Sequence, residues 1–317
     1  MIYLDEQERI GNIISKILDE NPDRVFLQVP DGLKKKIKVL EDRLDDEVEV
    51  VASLEPCYGA CDIKDIEARN LGCDLLVHIG HTRFCRDEEV KTMYFPWYYD
   101  MDPVPVLKSS LGVLGDYRKI GLLTTANFLH SLEKARGFLE SKGFEIFLGE
   151  GKRTEKGQIL GCDVSSALSV EDKVDCYVYI GSGKFHPLGL ALKTDKPIFR
   201  LDFEEKNLLK LDFDRFKRQQ IVAKENARQA ESFGIVITTK KGQSMPDVAF
   251  ELRKKLLDCG KDVYIFVMDE ITKDKLEGID VDCLVNTACP RIAVEHRTGF
   301  RQPVLNKDEV GDIFGFE

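Results

Sequence analysis

The chain has 317 residues, 43% of them hydrophobic and 32% charged, with a formal net charge of −10. That length supports two or three domains with real cores, and the composition is that of a globular protein. The acidic balance excludes broad nucleic-acid binding, which needs a basic surface, and no stretch approaches the roughly 18 unbroken apolar residues of a membrane span.

In chain order, the acidic start at Met1-Ile2-Tyr3-Leu4-Asp5-Glu6 lacks an apolar signal core, so a cytoplasmic protein with reduced thiols is expected. Strand patterns then alternate with helical ones, which predicts parallel sheets joined by crossover helices. A first buried strand is expected over residues 24–29, a second over 48–52, a third over 74–80 and a short fourth over 92–95. The series restarts with strands at 119–124, 144–148, 175–181 and 197–200, and again at 234–239, 262–267, 282–287 and 303–305. The third strands match best, each opening on an aspartate: Asp74, Asp175 and Asp282. An amphipathic helix follows each first strand, carried by Leu129, Leu132, Ala135, Phe138 and Leu139 in the second series. Val248, Leu252, Leu256 and Leu257 carry it in the third, and residues 212–233 read as a long linking helix with a solvated charged face. The fold class expected is therefore α/β. Three repeated domains, over residues 1–105, 106–211 and 212–317, each form a small parallel sheet flanked by helices and pack around a pseudo-threefold centre.

Nine cysteines are an odd number, so complete internal pairing is impossible, and a mix of buried thiols with a metal or cluster site is expected. Cys73, Cys176, Cys259 and Cys283 fall in or beside helix and strand cores and read as small buried hydrophobes. Cys61 and Cys162 follow the second strands of the first two series, the latter after an insert at 149–157, and Cys289 follows the third strand of the last. Each repeat thus places one thiol beyond a strand end, where α/β proteins put their chemistry. Three thiolates suit three irons of a [4Fe-4S] cluster with the fourth iron open, a reading that competes with three ordinary buried thiols. The spacing of Cys57 to Cys61 is also that of metal ligands. His78, His81, His130 and His296 show no paired spacing, and no catalytic role is expected of them.

Three phrases then act together: Glu55-Pro56-Cys57-Tyr58-Gly59-Ala60-Cys61-Asp62, Gly181-Ser182-Gly183-Lys184-Phe185-His186-Pro187 and Asn286-Thr287-Ala288-Cys289-Pro290-Arg291. With Val29-Pro30-Asp31-Gly32-Leu33, they resemble the archaeal diphthamide-biosynthesis family of 2-(3-amino-3-carboxypropyl)histidine synthases over nearly the whole chain. The resemblance implies a transferase of the non-classical radical S-adenosylmethionine type, with a [4Fe-4S] cluster on Cys61, Cys162 and Cys289. It also implies a homodimer, an electron donor, and translation elongation factor 2 as protein substrate, without direct nucleic-acid or membrane binding. Cys57 is an additional thiol beside the first ligand, although the Tyr-Gly-Ala-Cys context favours Cys61. Gly181, Ser182 and Gly183, His186, Gln243 and Arg291 are candidates to contact S-adenosylmethionine. Against these stand a tight turn, an ordinary loop histidine and a surface ion pair. Two other readings compete: a quinolinate-synthase-like cluster dehydratase, and a non-catalytic electron-delivery subunit.

Overall fold

The computed structural model describes residues 6–44, 47–85, 87–294 and 297–316. His296 and residues 1–5 lie outside them. The backbone separates into two compact units, one of Met1–Met101 with Ala126–His130, the other of Asp102–Thr125 with Ser131–Glu317.

The first unit holds β1 (Arg24–Gln28), β2 (Glu49–Ala52), β3 (Leu75–Ile79) and β4 (Lys91–Phe95) in the order β2-β1-β3-β4, all parallel. The central β1 and β3 are almost wholly buried, as apolar runs in parallel sheets are. A helix not expected from the repeat, Glu6–Asp19, buries Ile10, Ile13, Ile14 and Ile17 on one stripe against this core.

The second unit contains two further sheets. One joins β5 (Lys119–Thr124), β6 (Glu145–Phe147), β7 (Cys176–Ile180), β8 (Ile198–Asp202) and β9 (Asn207–Lys210) in the order β6-β5-β7-β8-β9. The other joins β10 (Ser232–Thr238), β11 (Asp262–Met268), β12 (Cys283–Asn286) and β13 (Val304–Asn306) in the order β11-β10-β12-β13. The strand order of the first sheet is thus repeated twice. Only β9 departs from it, an antiparallel edge strand on β8 that the sequence pattern missed.

The repeated aspartates have one structural task. The Asp74 carboxylate accepts from the backbone N–H of Arg24 at 2.9 Å and of Asp23 at 3.0 Å. Asp175 accepts from Lys119 at 2.8 Å and Arg118 at 2.9 Å, and Asp282 from Ser232 at 2.9 Å and Glu231 at 3.1 Å. Each carboxylate ties the start of the third strand to the start of the first. The donated N–H bonds of Lys119 and Arg118 hold the Asp175 carboxyl below the usual carboxylate range.

Two further expectations are corrected. Cys259 is exposed rather than core, because it follows the last turn of the helix Pro246–Asp258. Leu257 is 41% exposed, on the solvent side of the stripe formed by Ala249, Leu252 and Leu256. The linking helix is shorter than expected, Asp214–Arg228, and it buries only Ala223 and Ala227.

Gly121 and Gly234 occupy the same position in β5 and β10. A Cβ on Gly121 would lie 2.5 Å from Cδ1 of buried Tyr177, and one on Gly234 would lie 2.6 Å from Cε2 of Phe266. Gly121→Ala is expected to cost about 1–3 kcal/mol by overpacking, read as a lower urea midpoint with an unchanged slope.

Candidate metal centre

Every parallel strand in a sheet points the same way, so loops beyond the strand ends gather on one edge of it. In the first unit the Cys61 loop leaves β2 after the Ser53 N–H donates to Leu27 at 2.8 Å. Cys61 is partly exposed, in a turn closed by the Asp62 N–H donating to Gly59 at 3.0 Å. Buried Gln28, at the end of β1, grips that turn: its Nε2 donates to the Asp62 carbonyl at 2.6 Å and its Oε1 accepts from the Lys64 N–H at 3.2 Å. Cys57 is buried, and its thiol donates to the Gly59 carbonyl at 3.8 Å. Gln28 was not singled out by the sequence, although a polar residue ending the run Arg24-Val25-Phe26-Leu27-Gln28 was the available signal. His78 and His81, which show no paired spacing in the sequence, lie 3.0 Å apart, Nε2 to Nδ1. His130 instead sets its ring edge against Tyr98.

In the second unit the insert at 149–157 returns to the sheet, where the Thr124 N–H donates to Gly157 at 2.9 Å and the Ile159 N–H to Thr124 at 2.8 Å. Only its middle is exposed, since Gly149 and Gly157 are buried. Cys162 follows on an exposed turn, braced by the Leu160 N–H donating to Asp163 at 2.8 Å and by Ser165 donating through its hydroxyl to the Asp163 carboxylate at 2.6 Å. Beside it Gly161 lies flat against Phe185; a Cβ there would stand 2.0 Å from the ring.

Cys289 is partly exposed and is held from behind. Asn286 Nδ2 donates to the Cys289 carbonyl at 2.9 Å and to Asn306 Oδ1 at 2.8 Å, and the Ala288 N–H donates to Asn286 Oδ1 at 3.1 Å. Asn306 caps the helix Lys307–Phe314 in a capping box with Glu309, whose two carboxylate oxygens accept from Nη2 of buried Arg297 at 2.8 and 2.9 Å. Arg291 lies over the Phe185 ring, 5.0 Å from its centroid. Thus the Cys162 turn, the Phe185-His186-Pro187 segment and the Cys289 loop meet within the second unit.

The remaining candidates divide. Gly181 and Gly183 adopt φ of +151° and +74°, and a Cβ on Gly181 would lie 2.9 Å from the Tyr179 hydroxyl, so the turn itself requires glycine at Gly181. Ser182 between them is exposed. Gln243 sits in the turn beyond β10, where its N–H donates to Lys240 at 2.9 Å. His186 packs against Tyr179 and Phe185, and burial, then the Arg291 charge, bring it down to about 4. The unfolded chain takes up that proton near pH 6.5 and the native one only near pH 4, so stability is lost as pH falls through that window. Between pH 7 and 5 the loss in urea stability is expected to be about 1–2 kcal/mol larger in the native sequence than in His186→Gln.

Three repeated sheets of one strand order, each with a cysteine loop beyond the carboxyl end of a strand, define a triplicated α/β protein. The family profile described as "Putative diphthamide synthesis protein" matches residues 29–315, and the chain belongs to that family. It is 36% identical over 296 residues to the 2-(3-amino-3-carboxypropyl)histidine synthase of Pyrococcus horikoshii, covering 92% of this chain and 86% of that one. Subunit 1 of the human synthase is 30% identical, covering 95% of this chain and 70% of its own length. The crystal structure of Dph2 from Pyrococcus horikoshii with a 4Fe-4S cluster superimposes with a TM-score of 0.91, at 34% identity, over 100% of this chain and 92% of that one.

Proposed function

We propose that this protein transfers the 3-amino-3-carboxypropyl group of S-adenosylmethionine to a histidine of translation elongation factor 2, the first step of diphthamide biosynthesis. The observation that carries the reading is the placement of Cys61, Cys162 and Cys289, one beyond the sheet edge of each repeat. It is supported by the family match and by the 4Fe-4S cluster of the Pyrococcus horikoshii structure. Residues 1–105, 106–211 and 212–317 are read as three domains on the same repeat.

The donor set fits such a cluster. All three sulfurs are at least partly exposed, on loops anchored from behind by backbone and amide hydrogen bonds, whereas Cys176 and Cys283 are sealed in strands. Burial pushes the thiols of Cys176 and Cys283 up to about 12, the opposite of what a thiolate ligand needs. Three thiolates leave one iron for the co-substrate; the cluster, when bound, supplies the electron that cleaves the sulfonium bond on its aminocarboxypropyl side. The chain's own part is positioning. Arg291, held against Phe185, is read as the partner of the co-substrate's carboxylate. Neutral His186, the backbone around Gly181, Ser182 and Gly183, and Gln243 are read as the remaining contacts. Asn286 fixes the Cys289 carbonyl and so the backbone that carries its sulfur.

Among the described residues no helix is long and apolar enough to cross a membrane. A cytoplasmic homodimer supplied by an external electron donor completes the reading. Anaerobic incubation of the reduced, iron-reconstituted protein with S-adenosylmethionine is expected to release methylthioadenosine. S-adenosylmethionine left intact by a preparation with a full cluster would contradict it.

A further inference from the structure

Within the first unit three ligating side chains other than Cys61 come together. One ligand atom each from Cys57, His78 and His81 lie within 4.8 Å of one another. Two ligands of one tetrahedral zinc, each roughly 2.0–2.3 Å from the metal, lie about 3.3–3.8 Å apart, so the group needs only a small adjustment to close on an ion. Gly80 brings it together. Its φ of +108° turns the chain sharply after β3, and a Cβ there would lie 2.9 Å from Pro30. The turn folds His81 back on His78.

The hydrogen bonds also fix the chemistry of His78. The Asp62 carbonyl only accepts and the Lys64 N–H only donates, so the two ends of the Gln28 amide are assigned without ambiguity. Gln28 Oε1 is therefore the group facing His78 Nδ1 at 3.1 Å, and Nδ1 must carry the proton. The bare lone pair of His78 is then on Nε2, aimed at His81. A metal-ligating histidine is oriented in this way, its other ring N–H held by a carbonyl oxygen. His78 is fully buried, and His81 is partly exposed.

We propose that Cys57, His78 and His81 bind one zinc ion through a thiolate and two imidazoles, with the fourth position open to water. A single sulfur with two imidazole nitrogens suits zinc among the common divalent ions. The ion ties the loop carrying Cys61 to the end of β3. It thereby gives Cys57 a task of its own beside the neighbouring cysteine. A plain His81-to-His78 hydrogen bond is the competing arrangement, and it needs no metal.

The test uses the full chain with Cys61→Ser, Cys162→Ser and Cys289→Ser, stripped of metal, loaded with zinc chloride and dialysed. About one zinc per chain is expected to remain, with affinity falling at least tenfold on further Cys57→Ser or His81→Gln. Gln28→Leu is expected to weaken it by about 10–100-fold, as loss of a group orienting a ligand does. Cobalt in place of zinc is expected to show a thiolate charge-transfer band that disappears with Cys57→Ser. Zinc no higher than the dialysis blank, or zinc indifferent to Cys57→Ser, overturns the proposal. Should the triple variant fail to fold, the iron-reconstituted native chain serves: Cys57→Ser is expected to remove zinc and leave iron. Loss of iron instead overturns the proposal and makes Cys57 a cluster ligand.

Discussion

Replacing Cys289 with alanine is expected to remove most of the iron-linked visible absorbance of the reconstituted protein and to lower turnover more than about a hundredfold. The loop that carries it is built to present a sulfur. Its carbonyl is fixed by Asn286, and Thr287 ties the strand end back to Val236 at 3.0–3.1 Å through its hydroxyl and N–H. A reacting group misplaced by about an ångström already costs on the order of 10²-fold, and a missing ligand costs more. Cys61→Ala and Cys162→Ala are expected to behave alike, because the proposed cluster takes one ligand from each repeat. Cys176→Ala is the control: a strand thiol wholly buried beside Ile120, whose loss is expected to cost about 1 kcal/mol of stability and no iron. Iron content, absorbance and product formation measured on the same preparations separate these outcomes. Full activity in any one of the three variants breaks the ligand assignment.

Breaking the Arg297–Glu309 pair is expected to be the most destabilising single change away from the cysteines. Both side chains are buried, at 7% and 6% exposure, and the guanidinium also donates from Nε to the Ala293 carbonyl. Removing one partner leaves the other charge buried without compensation, a loss of about 3–5 kcal/mol. Glu309 also accepts from the Asn306 N–H at 2.6 Å, and Asn306 holds Asn286, so the damage reaches the Cys289 loop through one chain of hydrogen bonds. Arg297→Ala is therefore expected to lower the urea midpoint and to weaken iron retention, whereas Lys224→Ala is expected to change little. Lys224 pairs with Asp312 at 2.6 Å, but Asp312 is largely exposed, and exposed pairs of this kind contribute at most about 1 kcal/mol. Arg297→Met combined with Glu309→Leu is expected to recover most of the stability, less about 1 kcal/mol for the lost helix cap.

The repeated sheets were legible because buried parallel strands are written as apolar runs, and because Asp74, Asp175 and Asp282 mark the same corner three times. The strand β9 was not, since Asn207-Leu208-Leu209-Lys210 is a short edge whose pairing depends on the turn at Lys206, with φ of +51°. Cys259 was misplaced because a helix end and a helix core share one periodicity until the helix stops. Cys61, Cys162 and Cys289 were readable from their positions after strands. Two of the groups behind them were not: Gln28 reaches Asp62, Lys64 and His78 across 34 to 50 residues, and Asn286 reaches Asn306 across 20. No local spacing encodes partners at that separation. His78 and His81 illustrate the same limit, since their pairing rests on the backbone turn at Gly80 rather than on any spacing rule for strands.

The transfer itself can be read directly. The direct measurement is mass spectrometry of elongation factor 2 from an archaeon after anaerobic incubation with the reduced, iron-reconstituted protein and S-adenosylmethionine. A 3-amino-3-carboxypropyl group is expected on one histidine, with one methylthioadenosine released per modified chain and neither product from the Cys289→Ala variant. An unmodified elongation factor in the presence of an intact cluster and cleaved S-adenosylmethionine would contradict it.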